Sequence, residues 1–132
     1  MKARLFLTAI LALFASAALA GLYMPEPVSI DLENRCASGD MWSARFTHDD
    51  IEFIGCGVCS TAAGGDMCAY GYCQARDHEG TLVFCATEDP ILVDAIKSIT
   101  AFSHVRFKWE GEFCTDINVS TESYFLHKKL AK

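Results

Sequence analysis

Seven cysteines, Cys36, Cys56, Cys59, Cys68, Cys73, Cys85 and Cys114, carry most of the chemistry open to this 132-residue chain. Cys56-Gly57-Val58-Cys59 has the CxxC spacing of a dithiol redox pair. Such a pair works when its first thiol sits at a helix N-terminus that lowers its pKa. The following Ser60-Thr61-Ala62-Ala63-Gly64-Gly65 is too short and too broken by glycine to form that helix. Cys56, Cys59, Cys68 and Cys73 would also satisfy tetrahedral zinc, although their middle spacer is shorter than in the usual zinc arrangements. The third use of the thiols is as structural cross-links, and the compartment decides between the three.

Lys2 and Arg4 precede an apolar run, Leu5 to Leu13, and Ala18-Leu19-Ala20 is a small-x-small cleavage pattern before Gly21. The apolar stretch from Leu5 to Ala20 is shorter than the ~20 residues that cross a bilayer. Residues 1–20 therefore read as an export signal, leaving a periplasmic or secreted product with no membrane anchor after cleavage. In such an oxidising compartment thiols pair, which favours disulfides over redox or zinc chemistry. No metal and no cofactor is expected. Loss of Lys2 and Arg4 takes the net charge from −6 to −8, which excludes nucleic acid as the main partner, because phosphate binding needs a basic footprint.

An odd number of cysteines leaves one thiol free or paired with another chain, so a dimer through an odd cysteine is open. Turn symmetry ranks the pairings. Cys73 and Cys85 flank residue 79 symmetrically, Cys56 and Cys73 flank Gly64-Gly65, and Cys59 and Cys68 nearly do so. Opposed residues on antiparallel strands stand close enough for bridging. The nested pair Cys59–Cys68 ranks first; Cys56, Cys73, Cys85 and Cys114 supply two further bridges, and Cys36 stays unpaired.

The elements that must position these residues follow from hydrophobic period. Residues 21–40, with Pro25, Pro27 and Gly39, read as an extended N-terminal segment. Residues 41–127 read as one β-rich domain, followed by a basic tail at 128–132. Met41 to Thr47 places Trp42, Ala44 and Phe46 on one strand face, and His48-Asp49-Asp50 makes a turn. Ile51–Cys59, Met67–Arg76 and Thr81–Thr87 are further strands, the last two joined by Asp77-His78-Glu79-Gly80, with glycine where a positive φ is needed. Asp89-Pro90 opens a helix that ends near Ile99–Thr100, with Leu92, Ala95, Ile96 and Ile99 on one face. His104–Trp109 alternates with Val105, Phe107 and Trp109 inward, and Phe113, Thr115, Ile117 and Val119 alternate again. The fold class is mainly β (α+β): a small antiparallel sheet or a barrel with one helix near 90–100, stapled by disulfides.

Strand–strand–strand–helix–strand–strand over roughly residues 42–126 resembles the oligonucleotide/oligosaccharide-binding barrel, a topology that hosts many partners. At residue level, Ser43-Ala44-Arg45, Ile54-Gly55-Cys56, Cys73-Gln74-Ala75-Arg76, Cys85-Ala86-Thr87, Phe107-Lys108-Trp109, Cys114-Thr115 and Ser123-Tyr124 resemble a group of small, uncharacterised exported bacterial proteins. That resemblance spans about residues 39–126 and implies a bacterial exported product with no known activity. Cys36, Cys59 and Cys68 lie outside its pattern.

One surface stands out. His104, Arg106 and Lys108 form a basic row on an acidic protein, with Tyr70 and Tyr72 within reach if their strand packs alongside. The row would contact an anionic ligand or glycan, or else blunt a sheet edge with charge. His48, His78 and His127 sit in turns or the tail, and Asn118-Val119-Ser120 has only the pattern of a glycosylation site. The chain is expected to be a non-catalytic exported binding or interaction module for an unknown protein or envelope component. The alternative is a thiol-active or metal-binding protein centred on the cysteines at 56–73.

Overall fold

A computed structural model describes residues 21–61 and 68–126, with Cys68 described by its backbone alone. Seven strands, β1 (Ser29–Asp31), β2 (Cys36–Asp40), β3 (Phe53–Thr61), β4 (Cys68–Arg76), β5 (Leu82–Thr87), β6 (His104–Glu110) and β7 (Phe113–Ser120), form one sheet. Its order is β1-β2-β6-β7-β5-β4-β3. Two helices, α1 (Met41–Arg45) and α2 (Pro90–Lys97), and a 3-10 turn at Ser123–Phe125 complete the described part. The expected mainly β class, with its helix near 90–100 and its disulfides, is the class observed. The sheet is mixed, because β5 and β7 pair in parallel at Ala86 and Phe113. It is also open, with β1 and β3 at its two edges.

Helix α2 forms where its signals stand. Asp89 is extended and its Oδ1 accepts from the Ile91 and Leu92 amides at 2.8 and 3.2 Å, while Pro90 occupies the first helical turn. Val93 and Ile96 are buried against β3, β4 and β7. Close approach there depends on Gly71 of β4, since a Cβ at that position would sit 2.4 Å from Ile96 Cδ1. The β4–β5 turn is held by Asp77, whose Oδ1 accepts from Glu79 and Thr81 amides, and Gly80 takes the expected positive φ of 85°. Val105 and Phe107 of β6 are fully buried at the centre of the core.

Three expectations are corrected. Most of the strand expected over residues 41–47 is helix α1, Met41–Arg45, because the buried Asp40 accepts from the Ser43 amide at 2.7 Å and starts a helical turn. The extended segment expected at residues 21–40 includes two strands, since β1 and β2 pair as a hairpin and β2 pairs with β6, so the sheet begins before residue 41. Strand β6 is paired on both sides, so His104, Arg106 and Lys108 blunt no edge. The expected signal at 1–20 and the tail at 128–132 lie outside the described residues.

The His48–Asp50 turn carries a testable charge. Asp49 Oδ1 accepts from Thr47 Oγ1 and from the Ile51 and Glu52 amides, and Asp50 takes a positive φ of 58°. The Ile51 N–H, chief among the favourable contacts, holds the Asp49 carboxyl below its ordinary value of 3.8. The lowered folded pKa makes this contribution complete above the ordinary value and lost as pH falls through the folded one. An NMR titration of Asp49 should give a midpoint below 3.8; one at or above it would remove the charged carboxylate from the turn's support.

Candidate functional site

Four cysteines form a transverse row on the inner face of the sheet. Cys56 of β3 opposes Cys73 of β4, and Cys73 in turn opposes Cys85 of β5. Cys114 of β7 follows, one residue beyond the Ala86–Phe113 pair. The row is closed as two bridges, Cys56–Cys73 with Cα atoms 4.0 Å apart and Cys85–Cys114 at 5.0 Å. Both fit an oxidising environment. Among the described residues no helix is long and apolar enough to cross a membrane.

The first-ranked pair, Cys59–Cys68, is corrected. Cys59 is a free, exposed thiol facing Tyr70 in the ladder, whereas the Cys68 backbone faces Thr61. The exact symmetry about Gly64-Gly65 gives the observed register, Cys56 opposite Cys73, and the Cys59–Cys68 pairing departs from it by two residues. Cys56 and Cys59 cannot act as a local dithiol either, because residues three apart on a strand point to opposite faces. Cys56 points inward to its bridge while Cys59 stands outside. With Cys56 and Cys73 bridged, the proposed four-thiol metal set is not assembled. Among the described residues no group of three or more His, Cys, Asp or Glu is placed to hold a metal.

Among the described residues the other free thiol is Cys36, half-buried on β2 and opposite Lys108 of β6. Arg106 Nε donates to its Sγ at 3.3 Å. The expected outward row is therefore reduced to Arg106 and Lys108. His104 is largely buried, stacked on Phe125 at 4.7 Å between ring centroids. Its Nε2 lies 2.9 Å from Glu26 Oε2 without hydrogen-bond alignment. The tyrosines do not join this row. Tyr70 and Tyr72 are on β4, three ladder steps from β6, or about 14 Å at ordinary strand spacing.

They belong to a different surface. Because Cys73 and Cys85 point inward, Tyr70 and Tyr72 of β4 and Leu82 and Phe84 of β5 point outward. The Tyr72 and Phe84 rings stack with centroids 6.1 Å apart and planes inclined 23°. Tyr72 also lies across Gly57 of β3, where a Cβ would come 2.6 Å from its hydroxyl oxygen. Phe84 is 53 % exposed, Leu82 54 % and, at the start of β7, Phe113 70 %, so this face presents an apolar surface to solvent. An open cleft of about 460 Å³ adjoins it, lined by Tyr70, Ala86, Thr87, Glu88, Asp89 and Phe113.

A second cleft, of about 470 Å³, lies between α1 and β3 and includes Arg45, Asp50 and Glu52. Glu52 is already engaged by the Val28 amide. Sequence reasoning missed Phe84, Phe113 and Glu88 as surface groups. The strict alternation of Leu82-Val83-Phe84-Cys85 carried the signal: once the cysteine is inward, Phe84 must be outward. No protein-family model, curated protein or solved structure matches this chain.

Proposed function

We propose that the protein is an exported, non-catalytic binding module that meets a protein or envelope component through the outer face of β4, β5 and the start of β7. The observation that carries this reading is the cluster of Tyr70, Tyr72, Leu82, Phe84 and Phe113 on the solvent side of a sheet whose other side holds the core. Contiguous exposed apolar surface of this kind marks interaction sites, and tyrosine and other aromatics supply large contact area at low entropic cost. Export is supported by the Lys2–Ala20 pattern, the two disulfides and the likeness to small exported bacterial proteins. Binding is favoured over thiol chemistry because Cys56 is committed to Cys73.

The test is in-cell photocrosslinking with p-benzoylphenylalanine placed at Phe84, at Phe113 and, as a control on the opposite end of the outer face, at Asn118. Its ketone inserts into protein, lipid and glycan C–H bonds alike. Adducts at 84 and 113 but not at 118 are the expected result. No adduct at 84 or 113, or equal adducts at all three positions, would overturn the assignment of the face.

A further inference from the structure

We infer that the cleft between Tyr70 and Phe113 binds an organic ammonium ion, a cation carrying alkyl groups. The inference rests on the binding reading above and names the ligand class for one edge of that face. Two aromatic rings and two carboxylates line one cleft, and among the described residues neither Lys nor Arg does. Aromatic faces attract cations through the ring quadrupole, with alkylated ammonium groups the best-attested ligands of such sites.

Among the described residues neither carboxylate is held in an ion pair. The ion pairs among the described residues are Arg35–Glu110 and Lys97–Asp94, the close His–carboxylate contacts are His78–Glu79 and His104–Glu26, and none uses Glu88 or Asp89. The start of α2 would ordinarily attract anions. Asp89 Oδ1 already takes the Ile91 and Leu92 amides, so that end of the helix carries its own counter-charge. Glu88 then adds negative charge beside the rings, on a chain of net charge −6. A bare metal ion is the wrong occupant, because hard cations want six or more oxygen ligands and ring carbon offers none. The occupant must bring apolar surface for Tyr70, Ala86 and Phe113 together with positive charge for Glu88.

Such a group reaches the cleft either as a free small molecule or as a lipid headgroup, and the test separates these sources. Choline is titrated into the oxidised protein and followed by NMR, with 3,3-dimethyl-1-butanol as the uncharged isostere. Phosphatidylcholine vesicles form a separate sedimentation arm. Saturable choline binding is expected, about tenfold tighter than the isostere, with shifts at Tyr70, Thr87 and Phe113. Glu88→Gln and Phe113→Ala should each weaken it about fivefold with melting unchanged; both side chains are exposed, so folding is not at stake. Vesicle capture together with choline binding identifies a headgroup source, and choline binding alone a free ligand. Equal affinity for the isostere, no effect of Glu88→Gln, or no saturable choline binding would overturn the ammonium assignment. Photocrosslinks at Phe84 that persist in that case would leave the binding face standing.

Discussion

Replacing Cys85 and Cys114 together with Ala should lower the unfolding free energy by about 3.5 kcal/mol, read as a shift of the denaturation midpoint. The size follows from the 29-residue separation this bridge closes, against 17 for Cys56–Cys73, for which the same relation gives about 3 kcal/mol. Alanine is the right replacement, because Cys85 is fully buried and Cys114 nearly so, and a serine hydroxyl there would be interred without an arranged partner. Reductant removes both bridges at once, about 6–7 kcal/mol, which is comparable to the whole stability of a domain this size. The reduced protein should therefore be largely unfolded at 37 °C. Unchanged melting in excess reductant would show that the sheet stands on its apolar core alone.

Asp40→Ala should cost about 3 kcal/mol. This side chain is fully buried and receives two backbone amides, Glu26 at 2.8 Å through Oδ2 and Ser43 at 2.7 Å through Oδ1. The Asp40 amide in turn donates to the Glu26 carbonyl at 2.8 Å. One residue thus fixes the N-terminal segment, the end of β2 and the start of α1. Loss of a cap costs about 1 kcal/mol, and each buried amide left without an acceptor adds about 1–3. Asp40→Asn retains one carbonyl oxygen for capping and should recover about half of the loss. A melting temperature for Asp40→Ala within 1–2 °C of wild type would contradict the role given to this carboxylate.

Much of the fold could be read from local pattern, and the failures share a cause. Helix α2 announced itself through Asp89-Pro90, and β6 through Val105, Phe107 and Trp109, because these signals are complete within a few neighbouring residues. Residues 41–47 misled because Trp42, Ala44 and Phe46 alternate like a strand. What decides their structure is Asp40, a single buried capping side chain that hydrophobic period does not register. Strand β2 was missed for a different reason: Cys36-Ala37-Ser38-Gly39-Asp40 has almost no apolar bulk, and Gly39 is needed where Val28 packs 3.0 Å from its would-be Cβ. The candidate surface was half legible. Tyr70 and Tyr72 were picked out, but their neighbours depend on β7 entering the sheet between β5 and β6, a long-range choice that no short window contains.

Cys73 has an opposed cysteine on either side, Cys56 on β3 and Cys85 on β4's other neighbour, β5. The oxidation history of the chain therefore depends on which partner reaches it first. For a full-length reduced chain the β4–β5 hairpin closes the shorter loop, and loop-closure entropy favours Cys73–Cys85, stranding Cys56 and Cys114. For a chain emerging N-terminus first, Cys56 and Cys73 meet while Cys85 is still to come. The order of appearance thus protects the bridge that loop length alone would disfavour.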